Sequence, residues 1–383
     1  MTTTEVSPTE LMTPQDLITI GYRTLKTSPE QGCQLPVLFN IVVNVVLVGG
    51  IGILGLIGNT LSVVVFITER SSRVAILLLQ ALAIADNICL LTALVYIPFI
   101  LGILPSLSTY SSTVNTVTIY FQAYIEPLGF MAQMGTTWIV VLLAANRYFA
   151  ICRPFQAQRH LTMFRTKIQI TFVVIFSVVF NIPRFFQTRI TTDPLNGHTK
   201  FERTSLETES NFGKIYTNAL YTVLVLVLPF SLLLILNVRL ICSLRASRSR
   251  LRMHSVNRIG ASENNITLVM IVIIVVFLFC LLPDRLIPVF TTMLGTNSGC
   301  FLKVLLCISN LLFVINSSVN VFIYCLLRRR FRKLLVRRIF DCQTELNRPT
   351  SSANFNSLLV ARECTQNVHF SGSSRRTTAT TKT

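Results

Sequence analysis

Asp86 sits at the end of the run Leu82-Ala-Ile-Ala-Asp86, a carboxyl group set in a long apolar stretch. An ionisable or amide group in hydrocarbon costs several kcal/mol unless something meets it, so such groups mark binding, ion or switching chemistry. Asn59, Thr136, Asn316 and Asn320 fall at similar depth in other apolar stretches. Their oxygens could ligate a small cation such as sodium, or could serve as hydrogen-bonded packing glue with no ion. A second set lies toward the opposite end of the same stretches: Glu126, Arg184, Asp284, Arg285 and Lys303, with Gln133, Tyr124 and Tyr221 as lesser members. Charges so deep pair with each other or with a ligand, which places them around one cavity. Glu126 or Asp284 would receive a cationic group, and Arg184, Arg285 or Lys303 an acidic one, with arginine offering bidentate recognition. Glu126 with Arg184, or Asp284 with Lys303, could equally neutralise one another.

The elements that must position these groups are seven apolar stretches, at 38–66, 74–101, 114–147, 167–188, 215–242, 265–290 and 303–326. Each is long enough to cross about 30 Å of hydrocarbon as a helix, where every backbone polar group is satisfied internally. The expected fold is an all-α membrane protein, a seven-transmembrane helix bundle over 37–326. A head, 1–36, and a tail, 342–383, are too polar to bury a core and read as disordered. Between bundle and tail, 327–341 alternates bases with Phe331, Leu334, Leu335, Ile339 and Phe340, which describes an amphipathic helix on the membrane surface. No basic start followed by an apolar core precedes the first stretch, so no cleavable signal peptide is expected.

The 34 Lys and Arg against 16 acidic residues would point a soluble chain toward nucleic acid. Here about 25 of the bases fall in segments 67–73, 147–167, 239–263 and 327–383, which share one face. By the positive-inside rule that face is cytosolic and the head extracellular, at the plasma membrane, with the bases against anionic lipids and no role for nucleic acid. His160, His198, His254 and His369 all lie in loops or tails, and no intramembrane His-Glu or Ser-His grouping supports metal or nucleophilic catalysis, so an enzyme is not expected. A transporter would show matched halves with paired broken helices, and no such repeat is evident. Of ten cysteines, Cys33 and Cys300 face the oxidising side and could form a disulfide, while Cys342, at the end of the amphipathic helix, is a candidate for palmitoylation.

Six motifs, in order and each at the matching depth, resemble the rhodopsin-like G-protein-coupled receptors: Gly58-Asn59, Leu82-Ala-Ile-Ala-Asp86, Asn146-Arg147-Tyr148, Pro229, Phe277-x-x-Cys280-Leu-Leu-Pro283 and Asn320-Val-Phe-Ile-Tyr324. Within that family, Asn181-Ile-Pro-Arg-Phe-Phe186, Cys280-Leu-Leu-Pro283 and Asn316-Ser-Ser-Val-Asn-Val-Phe-Ile-Tyr-Cys325 are similar to the invertebrate FMRFamide-receptor group. The resemblance implies an extracellular ligand, an amidated neuropeptide or alternatively a small acidic amphipathic pheromone, and a heterotrimeric G protein meeting Arg147, Tyr148 and Tyr324. It also implies arrestin and a receptor kinase as tail partners, homo- or hetero-oligomers, and no cofactor.

The departures from that pattern are as informative. Asn146 replaces the acid that usually restrains the neighbouring arginine, leaving Glu263 as the expected partner of Arg147. Gln122 replaces the family's cysteine at the outer end of the third span, and 189–214 has no cysteine, so that loop is expected to be less constrained. Leu281 and Val321 stand where the family has its tryptophan and the proline of its seventh span, and Gly129 and Val314 exclude amine and retinal chemistry.

Overall fold

The computed structural model describes residues 37–69, 73–103, 112–192, 199–205, 215–216, 220–251, 260–294 and 299–346. The chain divides into two units, Met1–Leu335, which holds the bundle, and Val336–Thr383, whose described residues 336–346 are helical. The spans of the bundle are Leu38–Thr68, Val74–Ile103, Ser112–Cys152, Met163–Phe186, Thr222–Ser243, the long helix Gly260–Leu294, and Lys303–Ser318 followed by Asn320–Leu327. Five are single helices long and apolar enough to cross a membrane, the last is a bent pair, and the sixth carries its apolar run at Leu268–Pro283.

Burial sorts these helices. Half of the apolar window of the second and third spans is buried, against 22–28% in the first, fourth and fifth. The second and third are therefore the axis, and the others turn Ile53, Ile57, Phe172, Ile175 and Ile235 outward to lipid. Because the surrounding solvent is itself apolar, these helices are hydrophobic all round, and the inward side is set by small and polar residues instead of by greasiness. The first span illustrates this with Gly52, Gly55 and Gly58 on its buried side: a Cβ on Gly52 would meet Leu94, on Gly55 Ser318, and on Gly58 Val321. The seventh span packs against the first, second and sixth, and the third against the second, fourth, fifth and sixth.

At one end of the bundle, β1 (Thr188–Thr192) and β2 (Thr199–Arg203) form an antiparallel hairpin with Ile190 opposite Phe201. It is docked on the third span through Thr116 Oγ1 and Thr199 Oγ1 at 3.0 Å, and closed at its base by Thr204, whose N–H donates to Gln187 O and hydroxyl to Phe186 O. Within that cysteine-free loop, β-branched residues build a ladder that hydrogen bonds tie to the third span. At this hairpin end the first, second and fifth spans wind into wider π turns at Ile41–Leu47, Tyr96–Ile103 and Thr222–Val227.

The opposite, basic end carries a short helix, Pro154–His160, and a fourth span whose first turn is capped by Thr162 accepting from Arg165 N–H. Here Glu69, closing the first span, receives Arg328 Nη2 at 2.6 Å, with both side chains about 97% buried. Burial pulls the Arg328 guanidinium below its ordinary pKa, and Glu69 works against that shift. Next to the pair, Tyr324 lies 5.1 Å from Phe66 and 5.5 Å from Phe331, ring centre to ring centre. Arg328→Met alone would strand a buried carboxylate and cost about 3–5 kcal/mol, whereas Glu69→Leu with Arg328→Met would cost far less. Thermal unfolding of the detergent-solubilised variants measures both; equal losses would contradict the pairing.

Candidate functional site

Two polar regions stand out in the bundle. In the basic half, Asn320 Nδ2 donates to Asp86 Oδ2 at 2.6 Å, joining the second and seventh spans. Asn59 Nδ2 donates to Ser317 O at 2.8 Å, joining the first to the seventh. Thr136 Oγ1 meets Cys89 Sγ at 3.4 Å, one turn along the second span from Asp86. Asn316 is buried beside them in sequence, and Asp86, Asn59 and Asn320 are at most 4% exposed. Of the residues expected to form one polar core, Asp86 and Asn320 are in direct contact, Asn59 meets the seventh span at Ser317, and Thr136 meets the second at Cys89. Asp86 Oδ1, Asn59 Oδ1, Ser317 Oγ and Tyr324 OH are buried with no hydrogen-bond partner among the described residues. Such oxygens suit ordered water or a small cation. No group of three His, Cys, Asp or Glu that could hold a metal occurs among the described residues.

The seventh span turns by 45° at Val319, between Lys303–Ser318 and Asn320–Leu327. No proline causes it. Asn59 takes the Ser317 carbonyl, which in a continuous helix receives the N–H of Val321, and Ser318 Oγ donates to Ile51 O at 3.2 Å. A Ser-Ser pair with side chains engaged across an interface is a recognised origin of a helix kink, and Gly55 and Gly58 let the first span approach closely enough to make it.

The second region is at the hairpin end. A cavity of about 20 Å³ is lined by Gln122, Ala123, Glu126, Pro127, Phe130, Arg184 and Thr188, with room for one or two water-sized groups. Arg184 is 3% exposed. Its guanidinium carbon lies 4.0 Å from the Phe130 ring centre and 4.3 Å from that of Tyr221, so two π faces stabilise its charge. Its Nε donates to Asn181 Oδ1 at 3.1 Å, and Asn181 in turn donates to Ser177 O and Met134 Sδ. Pro183 opens the 3₁₀ turn Ile182–Phe186 that aims Arg184 into the bundle.

Of the expected ligand set, Glu126 and Arg184 share this cavity. Gln133 and Lys303 are half-buried and not among its walls. The cavity lies between the third and fourth spans, and the seventh, which carries Lys303, packs against the first, second and sixth. The side chains of Asp284, Arg285, Glu263, Cys300 and Cys342, and all of Cys33, lie outside the described residues. Arg147 is 6% exposed at the basic end, next to buried Asn146, and the Tyr148 ring rests 5.6 Å from Phe149.

Residues 58–324, about 70% of the chain, match the family described as 7 transmembrane receptor (rhodopsin family). The chain belongs to that family. It is a multi-pass membrane protein of the G-protein-coupled receptor class and not an enzyme. Among curated relatives, an FMRFamide receptor of Drosophila melanogaster is 27% identical over 79% of this chain and 55% of its own length. An FMRFamide peptide receptor of Caenorhabditis elegans is 28% identical over 74% of this chain and 66% of its own. Neuromedin-U receptor 2 of Mus musculus is 28% identical over 73% of this chain and 71% of its own. The chain thus spans between about half and two thirds of the two FMRFamide relatives.

One side chain that sequence reasoning passed over is Phe155, in the short helix at the basic end, 91% exposed. Its signal was an aromatic directly after Arg153-Pro154, beyond the apolar stretch and therefore not accounted for by lipid.

Gly55→Ala tests the kink. The added methyl runs into Ser318 Oγ, and the variant should lose about 1–3 kcal/mol in thermal unfolding in detergent. Gly55→Ala with Ser318→Gly should recover part of that loss, since the Leu90 methyl at 2.8 Å is still met and the bond to Ile51 O is gone; no recovery would show that the Ser318 contact is not what the methyl strains.

Proposed function

We propose that this receptor binds an extracellular amidated neuropeptide at the hairpin end and activates a heterotrimeric G protein at the basic end, in the plasma membrane with its head outside. The observation that carries this reading is the cavity at Glu126 and Arg184, reached beneath the hairpin, in a chain whose relatives include receptors named for FMRFamide and neuromedin-U. Glu126 in the same cavity opposes a purely acidic amphipathic cue there. Among the described residues no geometry favours the pheromone reading.

On the cytosolic side, Phe155 offers a G protein an exposed apolar anchor, while Arg147 and Tyr324 are buried until the bundle opens. Ligand binding then acts by population shift, limited by its differential affinity for the open state. The buried oxygens around Asp86 are the place for water or sodium in the resting bundle. Arrestin and a receptor kinase are proposed partners of the tail, with lipids against the bases that follow Arg328.

Cells expressing this chain, given Arg-Phe-amide peptides beside acidic amphipathic compounds, should activate a G protein in response to the peptides. Phe155→Ala should reduce maximal activation several-fold at unchanged surface expression and peptide binding. Ion flux without G-protein activation would contradict the proposal.

A further inference from the structure

Glu69 and Arg328 each stand where a helix stops, about one turn beyond an aromatic ring. Glu69 leaves the first span in an extended conformation, with its N–H on Phe66 O. Arg328 leaves the helix Asn320–Leu327 in the same way, with its N–H on Tyr324 O at 2.9 Å. The two rings touch, at 5.1 Å between centres, and the two charges meet at 2.6 Å. Phe331 completes a triangle of rings, 5.4 Å from Phe66 and 5.5 Å from Tyr324, and the Arg328 guanidinium carbon lies 5.5 Å from the Phe66 ring centre. We infer that Glu69 and Arg328 are positioning residues for Tyr324: their ion pair holds the end of the seventh span against the first, and so sets how often the basic end opens when no ligand is bound. This rests on the reading above that a G protein docks at the basic end.

The Tyr324 hydroxyl has no hydrogen-bond partner among the described residues, so its ring is kept in place by Phe66 and Phe331 and by whatever keeps those surfaces together. Ring contacts are forgiving in direction. An ion pair with both side chains almost wholly buried is not, because parting it leaves a charge in apolar surroundings. Glu69 Oε2 and Arg328 Nη1 have no further partner among the described residues, so there no second acid or base stands ready to take up either charge. The bond from Arg328 N–H to Tyr324 O, with those from Arg332 Nη1 to Cys325 O and Leu326 O, makes the last turn of the seventh span and the elbow after it one piece. Tyr324 therefore cannot leave Phe66 and Phe331 without carrying Arg328 off Glu69. The 45° bend at Val319 sets that piece apart from the rest of the span, as a short segment able to move by itself. A buried pair adds little net stability over an apolar replacement, but it suits an element with two arrangements.

The experiment uses the full chain in three forms: wild type, Glu69→Gln, and Glu69→Leu with Arg328→Met. Two quantities are read, ligand-free G-protein activation per receptor at the cell surface, and hydrogen–deuterium exchange of the amides from Asn320 to Arg332 in detergent. Both variants should raise ligand-free activation roughly fivefold or more, the lower end of ordinary coupling between two sites, and both should exchange faster over that segment. The double variant separates a switch from a brace. It removes both charges together and keeps thermal stability close to wild type, so a pair that only braced the fold would leave ligand-free activation unmoved. If Glu69→Gln fails to reach the surface, the double variant decides alone. Unchanged ligand-free activation in the double variant, or exchange no faster than wild type, with the response to Phe-Met-Arg-Phe-amide intact, would overturn this assignment and leave the receptor reading standing. Faster exchange with no G-protein activation from any form, with or without the peptide, would overturn the coupling reading and this assignment with it.

Discussion

A carboxylate in the middle of a membrane protein has to be met, and in this bundle the side chain that meets Asp86 is Asn320. That hydrogen bond, between the two spans that pack on the first from either side, fixes how the seventh span stands in the bundle. In hydrocarbon the apolar side chains give little direction, because lipid tails receive them as readily as a neighbouring helix does. Register is set by what lipid cannot satisfy. Asn320 on Asp86, Asn59 on the Ser317 carbonyl and Ser318 on the Ile51 carbonyl therefore act as a set of pins, and the glycines of the first span allow the approach that closes them.

The bend at Val319 follows from the same pins. A proline would impose a kink permanently by removing an N–H; at position 321 this chain has valine, and the bend is held from outside by Asn59 and Ser318. Toward the basic end the seventh span then runs into Tyr324 between Phe66 and Phe331, sealed by Glu69 and Arg328. The hairpin end is held by other means, with threonine hydrogen bonds between β2 and the third span and aromatic faces around Arg184. The hairpin end and the basic end are thus held by different interactions within one hydrogen-bonded bundle.

Much of this frame was legible in the sequence, since an Asp or Asn inside an apolar run stands out by its cost. Asp86, Asn59 and Asn320 were found that way, as were Glu126 and Arg184. The pair Glu69 and Arg328 was not, because each follows the end of an apolar run, where a charge ordinarily faces water; only the fold brings the two ends together. The bend at Val319 was hidden because attention goes to proline, although the Ser317-Ser318 pair was a visible sign. The hairpin was also readable in principle, from Thr188-Arg-Ile-Thr-Thr and Thr199-Lys-Phe-Glu-Arg with their alternating, β-branched character.

The most direct test of the frame is a double-mutant cycle on Asp86→Leu and Asn320→Leu, read as thermal unfolding free energies in detergent. The account predicts strong coupling, with the double variant more stable than the sum of the single losses implies by about 1 kcal/mol or more. Losses that add to within about 0.5 kcal/mol would mean the two residues do not act as a pair, and that the seventh span is positioned by something else.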